Sequence, residues 1–132
     1  MGGESSVLQL AAGALLLGAA SGAPAQATGC DTDFAQRVFS KCSACHSLAE
    51  GVHGAGPSLH ALAGREAGQL DGFPYSKPLR DADVVWNAAT LNGFLVSPQL
   101  FVPGNRMPFA GLKNNEERTV LISYLLDDPA CQ

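Results

Sequence analysis

Two cysteines and a histidine stand close enough in this chain to act on one object: Cys42-Ser43-Ala44-Cys45-His46. If that run is helical, positions i, i+3 and i+4 share a face, so both thiols and the imidazole point the same way. Two thioether bonds to porphyrin vinyl groups and an imidazole nitrogen on the iron suit this geometry. Other uses of the same residues compete. A thioredoxin-like CxxC belongs in a βαβ setting, and no strand-rich runs surround this one. A zinc site needs four ligands, and adding Cys30, His53 or His60 gives no recognised spacing. A structural bridge between Cys42 and Cys45 is a further alternative. Covalent attachment of a single haem c is the preferred reading.

Helices must carry these groups. Phe34, Ala35, Val38, Phe39 and Cys42 recur at helical spacing behind Asp31 and Asp33, which predicts a first helix ending at the cysteine motif. Leu91, Phe94 and Leu95 repeat at i, i+3 and i+4 before Pro98, a short middle helix despite Gly93 within it, where glycine costs about 1 kcal/mol relative to Ala. Asn114 with Glu117 three residues on resembles a capping box. Val120, Leu121, Tyr124 and Leu125 then form an apolar stripe that Pro129 ends.

The chain has 132 residues, 46% hydrophobic and 15% charged, with 8 basic residues against 12 acidic ones. That length allows one small domain. Scattered, outnumbered basic residues exclude a nucleic-acid footprint, which needs clustered Lys and Arg. From Val7 to Ala20 runs an apolar stretch of 14 residues, too short for a bilayer span of roughly 20. Small residues follow it, with cleavage sites after Ala25 and after Ala27, so residues 1–27 read as an export signal and 28–132 as the mature domain, free of any transmembrane segment. No basic residue precedes Arg37, so the usual positive start of such a signal is missing. Export places the domain in the periplasm, where haem attachment of this kind takes place.

From Phe34 to Leu126 the chain resembles the class I c-type cytochromes, in the branch that holds mitochondrial cytochrome c and the bacterial cytochromes c2. The matching pieces, in order, are CSACHSL (42–48), GPSLHALAGR (56–65), GFPYS (72–76), Trp86, TLNGFL (90–95), PGNRMPFAGL (103–112) and ERTVLISYL (117–125). The resemblance implies an all-α fold of three main helices plus loops around one covalently bound haem. It implies Met107 as the second axial ligand to iron beside His46, although a lone methionine is more often core filler. Pro57 resembles the proline whose carbonyl accepts the His46 Nδ1 proton. Arg65, Tyr75 and Trp86 match positions that meet the haem propionates, and Phe109 matches the aromatic that lines the haem edge. Several positions depart from the mitochondrial pattern. Phe94 replaces a tyrosine, Leu79 an asparagine and Asn105 a threonine, and Ala35 lies at or beside a helix-crossing glycine. Lys41, Lys77, Arg106 and Lys113 are candidates to ring the haem edge, but the net charge of -4 argues against strong positive steering.

Cys30 and Cys131 bracket the domain and are expected to form a disulfide in an oxidising compartment, with lipidation of Cys30 as the alternative. The expected function is one-electron transfer without catalysis. Expected partners are a donor dehydrogenase or quinol-oxidising complex and an acceptor oxidase, reductase or photosynthetic centre. A monomeric shuttle and a dedicated subunit of a larger oxidoreductase are both compatible with the sequence.

Overall fold

Asp31 starts the first helix, α1 (Thr32–Phe39), by accepting the Phe34 amide at 2.8 Å, and Asp33 adds a second charge where the helix dipole favours it. The structure is a computed structural model whose described residues are 1–3 and 30–127. The apolar run, both cleavage positions and Cys131 all lie outside the described residues.

α1 stops at Phe39 and does not reach the cysteine motif as its periodicity predicts. Serine hydroxyls explain the early end. Ser40 Oγ donates to the Arg37 carbonyl at 2.6 Å and Ser43 Oγ to that of Ser40 at 3.2 Å, competing with the regular ladder. The chain tightens, with the Cys42 amide on Phe39 O at 2.7 Å, and then closes one turn of helical pitch. Cys45 N–H and His46 N–H both donate to Cys42 O at 3.0 Å. The thiols and imidazole therefore keep the i, i+3, i+4 relation outside the helix.

A four-residue helix, α2 (Lys77–Arg80), follows Ser76. Asn87 caps α3 (Ala88–Val96) by accepting from Ala89 and Thr90, while Thr90 Oγ1 accepts the Asn87 amide. Pro98 stops α3 as predicted and also opens a further short helix, α4 (Pro98–Phe101), where its fixed φ suits the first position. The last helix, α5 (Asn115–Leu125), starts with the Asn114 side chain accepting Glu117 N at 3.0 Å. The other half of the expected box is not made, because the Glu117 carboxylate turns to Lys41 Nζ at 2.7 Å.

α1 packs on α5, and α3 packs on α4 and α5. Ala35 in α1 is fully buried. Gly93 serves the α3–α4 contact: a Cβ there would stand 2.6 Å from a ring carbon of Phe101, so the missing side chain admits that ring onto α3. The fold is all-α with three main helices, as expected, and the described residues form no strand, only isolated bridges between His46 and His53 and between Glu66 and Val85. No described helix is long and apolar enough to cross a membrane.

Candidate functional site

Within these helices and loops lies a cavity of about 720 Å³. Leu62, Leu91, Phe94, Leu95, Leu121 and Leu125 give it apolar walls, and Cys42, Cys45, His46 and Met107 also line it. Cys42 and Cys45 are free thiols, so no bridge joins them. Burial pushes the Cys42 thiol up from its ordinary range, Lys41 opposes this, and the neighbouring Cys45 adds to it.

The His46 ring is held on two sides. Its Nδ1 lies 2.7 Å from the Pro57 carbonyl oxygen. A carbonyl only accepts, so Nδ1 carries the proton and Nε2 keeps the lone pair. Burial lowers the imidazole's pKa, the Pro57 hydrogen bond opposes that, and the Arg65 charge lowers it further. Gly56 presses on the ring, because a Cβ at that position would fall 2.3 Å from His46 Cε1. The loop carrying Gly56 and Pro57 is itself anchored, by Gly56 N–H on Cys45 O at 2.9 Å and Leu59 N–H on Ser47 O at 2.8 Å.

His53 also reaches the cavity, but both ring nitrogens are engaged elsewhere. Nδ1 accepts the Ser58 amide at 3.0 Å, so Nε2 carries the proton toward Asp71 O at 3.2 Å. That pins one loop to another and leaves no lone pair for a metal. His60 is exposed.

Arg65, Tyr75 and Trp86 come together on one part of the cavity lining. Arg65 donates to His60 O at 2.9 Å and Ser58 O at 3.0 Å, and burial lowers its pKa against the opposing effect of Tyr75. Burial raises the Tyr75 phenol, with Arg65 and a Leu70 backbone hydrogen bond pulling the other way. Tyr75 stands edge-on to Phe73 at 4.9 Å, and Trp86 edge-on to Phe94 at 5.1 Å. Ser76 belongs with this set, and sequence reasoning missed it. It is 9% exposed, lines the cavity, and its Oγ is a buried polar atom without a hydrogen-bond partner in the protein. A buried orphan hydroxyl is costly. Its position fits a polar arm on a molecule filling the cavity. Its place at the end of the GFPYS stretch, next to Tyr75, was the available signal.

Met107 and Phe109 are half-buried and line the cavity, joined by the Phe109 N–H on Met107 O at 2.9 Å. Phe94 and Leu79 line it too, so these two departures leave the lining without a phenol or an amide at either position. Each of the four candidate rim cations has a partner within the chain, two of them a carboxylate and two a neutral backbone carbonyl. Lys41 pairs with Glu117, Lys77 with Asp81, Arg106 bonds Pro74 O and Lys113 bonds Val96 O. Only Lys41 and Arg106 of the four line the cavity.

Two thiols, a neutral imidazole with one free nitrogen, a thioether, apolar walls and a polar corner with an unmatched hydroxyl fit a planar, mostly apolar macrocycle bearing carboxylate arms. A shell of helices and loops, with no strand among the described residues, around such a cavity is the architecture of a c-type cytochrome. The sequence is 43% identical to cytochrome c2 of Rhodoblastus acidophilus over 96 residues, covering 72% of this chain and 90% of the relative. It is 44% identical to cytochrome c2 iso-2 of Magnetospirillum molischianum over 87 residues, 66% and 90% of the two chains, and 44% identical to cytochrome c of Chlamydomonas reinhardtii over 103 residues, 76% and 92%. No protein-family model matches the chain. The chain belongs to the class I c-type cytochromes, electron-transfer proteins rather than enzymes, and this kinship implies covalently bound haem c.

Proposed function

We propose that this chain is an exported, periplasmic one-electron carrier holding one haem c through Cys42 and Cys45, with His46 and Met107 as axial ligands and the iron alternating between Fe(II) and Fe(III). One observation carries the reading: His46 has committed Nδ1 to Pro57 at 2.7 Å and lines the cavity that both free thiols and Met107 line. The haem, when bound, supplies a one-electron couple. His46 offers Nε2 in a fixed orientation. Met107 offers a thioether, a weak donor that raises the reduction potential relative to nitrogen or thiolate pairs. If His46 and Met107 both hold the iron, oxygen, peroxide or substrate would find no open place on it, which would leave electron transfer as the task. Arg65, Tyr75, Ser76 and Trp86 hold the propionates, and Phe109 lines the haem edge. The apolar walls exclude water, so a change of charge at the metal reorganises little around it.

Acidic residues outnumber basic ones 12 to 8, and Lys41 and Lys77 are each paired with a carboxylate, so this carrier does not have the basic face that strong electrostatic steering needs. Its partners are a donor dehydrogenase or quinol-oxidising complex and an acceptor oxidase, reductase or photosynthetic centre. The Sγ of Cys30 lies 3.9 Å from Val120 O on α5, which brings it toward the helix that leads to Cys131 and supports the proposed bridge between the two.

Visible spectra of the exported protein, oxidised and reduced, together with its intact mass, test the proposal. One covalent haem, a chain starting at Gln26 or Thr28, and a spectrum of two filled axial positions are expected. Folded, colourless protein from a host able to attach haem overturns it. Stoichiometric co-purification with one oxidoreductase assigns the domain to a permanent complex instead of a free shuttle.

A further inference from the structure

Met107 is held through its backbone by two side chains, one on α4 and one two residues before it. Its N–H donates to Asn105 Oδ1 at 2.9 Å, and its carbonyl accepts from Gln99 Nε2 at 3.1 Å. Asn105 is 6% exposed, and its amide nitrogen donates to Pro98 O and Val102 O, both at 2.8 Å, which ties it to the two ends of α4. Gln99 Nε2, on α4, also reaches Asn105 O at 3.0 Å and Oδ1 at 3.3 Å. α4 in turn is seated on α3 through the Phe101 ring at Gly93. Both polar groups of the Met107 backbone are thus fastened to a short helix that is fastened to a main one.

A tight turn at Pro103-Gly104 does not need this arrangement, since the Asn105 amide already closes it on Val102 O at 3.2 Å. Gln99 is exposed, yet its amide engages three oxygens of the Met107 segment rather than water alone. Holding the backbone matters for a thioether in particular. It is a weak donor, so its hold on a metal depends on being kept at one address while stronger ligands compete from solution.

We propose that Gln99 and Asn105 are positioning residues that act through Met107, fixing its backbone so that the thioether resists displacement by outside ligands. This rests on the reading of Met107 as an axial ligand, and the experiment separates the two. The oxidised holoprotein is titrated with imidazole and followed by visible absorbance, for wild type, Gln99→Ala, Gln99→Glu, Asn105→Ala, Met107→Ala and Thr90→Ala. Removing one hydrogen-bonding side chain should tighten imidazole binding about fivefold in Gln99→Ala and about tenfold or more in Asn105→Ala. Gln99→Glu, of the same shape but turning a donor into a carboxylate facing three oxygens, should bind imidazole more tightly than Gln99→Ala. Met107→Ala should bind it most tightly. Thr90→Ala breaks the α3 cap and lowers stability without touching the Met107 segment, so its imidazole affinity should match wild type.

If Met107→Ala binds imidazole no better than wild type, Met107 is not a ligand and both readings fall. If Met107→Ala binds tightly while Gln99→Ala and Asn105→Ala match wild type, or Thr90→Ala tightens binding as much as they do, the positioning role alone falls. The two Gln99 variants alter an exposed side chain and decide the matter if Asn105→Ala does not fold.

Discussion

Replacing Gly56 with alanine perturbs the His46 ring and little else. A Cβ at position 56 would stand 2.3 Å from His46 Cε1 and 2.7 Å from each ring nitrogen, where ordinary contact begins at 3.4 Å. Gly56 is not among the positive-φ glycines, so alanine suits the backbone and the clash is the whole perturbation. The Cβ and the ring must separate by about 1 Å in a well-packed interior that yields little. Such a shift breaks the 2.7 Å bond from Nδ1 to Pro57 O. Overpacking costs about 1–3 kcal/mol, and the lost hydrogen bond about 1 kcal/mol. For a domain near 100 residues, each kcal/mol lowers the melting temperature by about 4–8 °C, so a fall of roughly 8–32 °C is expected. With His46 as the proposed iron ligand, loss of the carbonyl partner would make the imidazole a poorer donor, favouring Fe(II) and raising the reduction potential. Thermal unfolding of the holoprotein and a redox titration measure the two effects. Gly51→Ala is the control: at φ +67 with nothing within 4 Å, it strains the backbone but leaves the potential alone. A Gly56→Ala protein that melts within a few degrees of wild type at an unchanged potential would refute the idea that the ring is wedged between Gly56 and Pro57.

Three other outcomes are open to measurement. Met107→Ala should lower the reduction potential and change the visible spectrum of the holoprotein, and an unchanged spectrum removes Met107 from the ligand set. Ser76→Ala should destabilise the holoprotein in denaturant by about 1.5–3 kcal/mol, the worth of a hydrogen bond to a charged group, and equal stability would mean that the hydroxyl meets no carboxylate. Cys30→Ser should cost up to about 4–5 kcal/mol of stability, as expected for opening a loop of about 100 residues. A reducing agent should then affect wild type but not the variant, while a diacylglyceryl adduct on Cys30 in the intact mass excludes the bridge.

Much of this protein is local, and local information is legible in the chain. The CxxCH run points to the proposed attachment chemistry because the three groups lie within one turn of each other. Asp31 and Asn114 mark helix starts because a cap acts on amides two or three residues away. The stripes of α3 and α5 follow from a 3.6-residue period that needs no knowledge of the partner surface. Other features depend on groups far apart in sequence, and only the folded chain decides them. Glu117 leaves its box for Lys41, 76 residues away. Ser76 loses its water only when the loops around the cavity close, and Gly56 is needed only because the His46 ring arrives against it. Gln99 and Asn105 look like ordinary surface and turn residues until α4 is seated on α3 and their amides come within reach of Met107. Burial and hydrogen-bond partnership are properties of distance in space, whereas periodicity, capping and motif spacing are properties of distance along the chain.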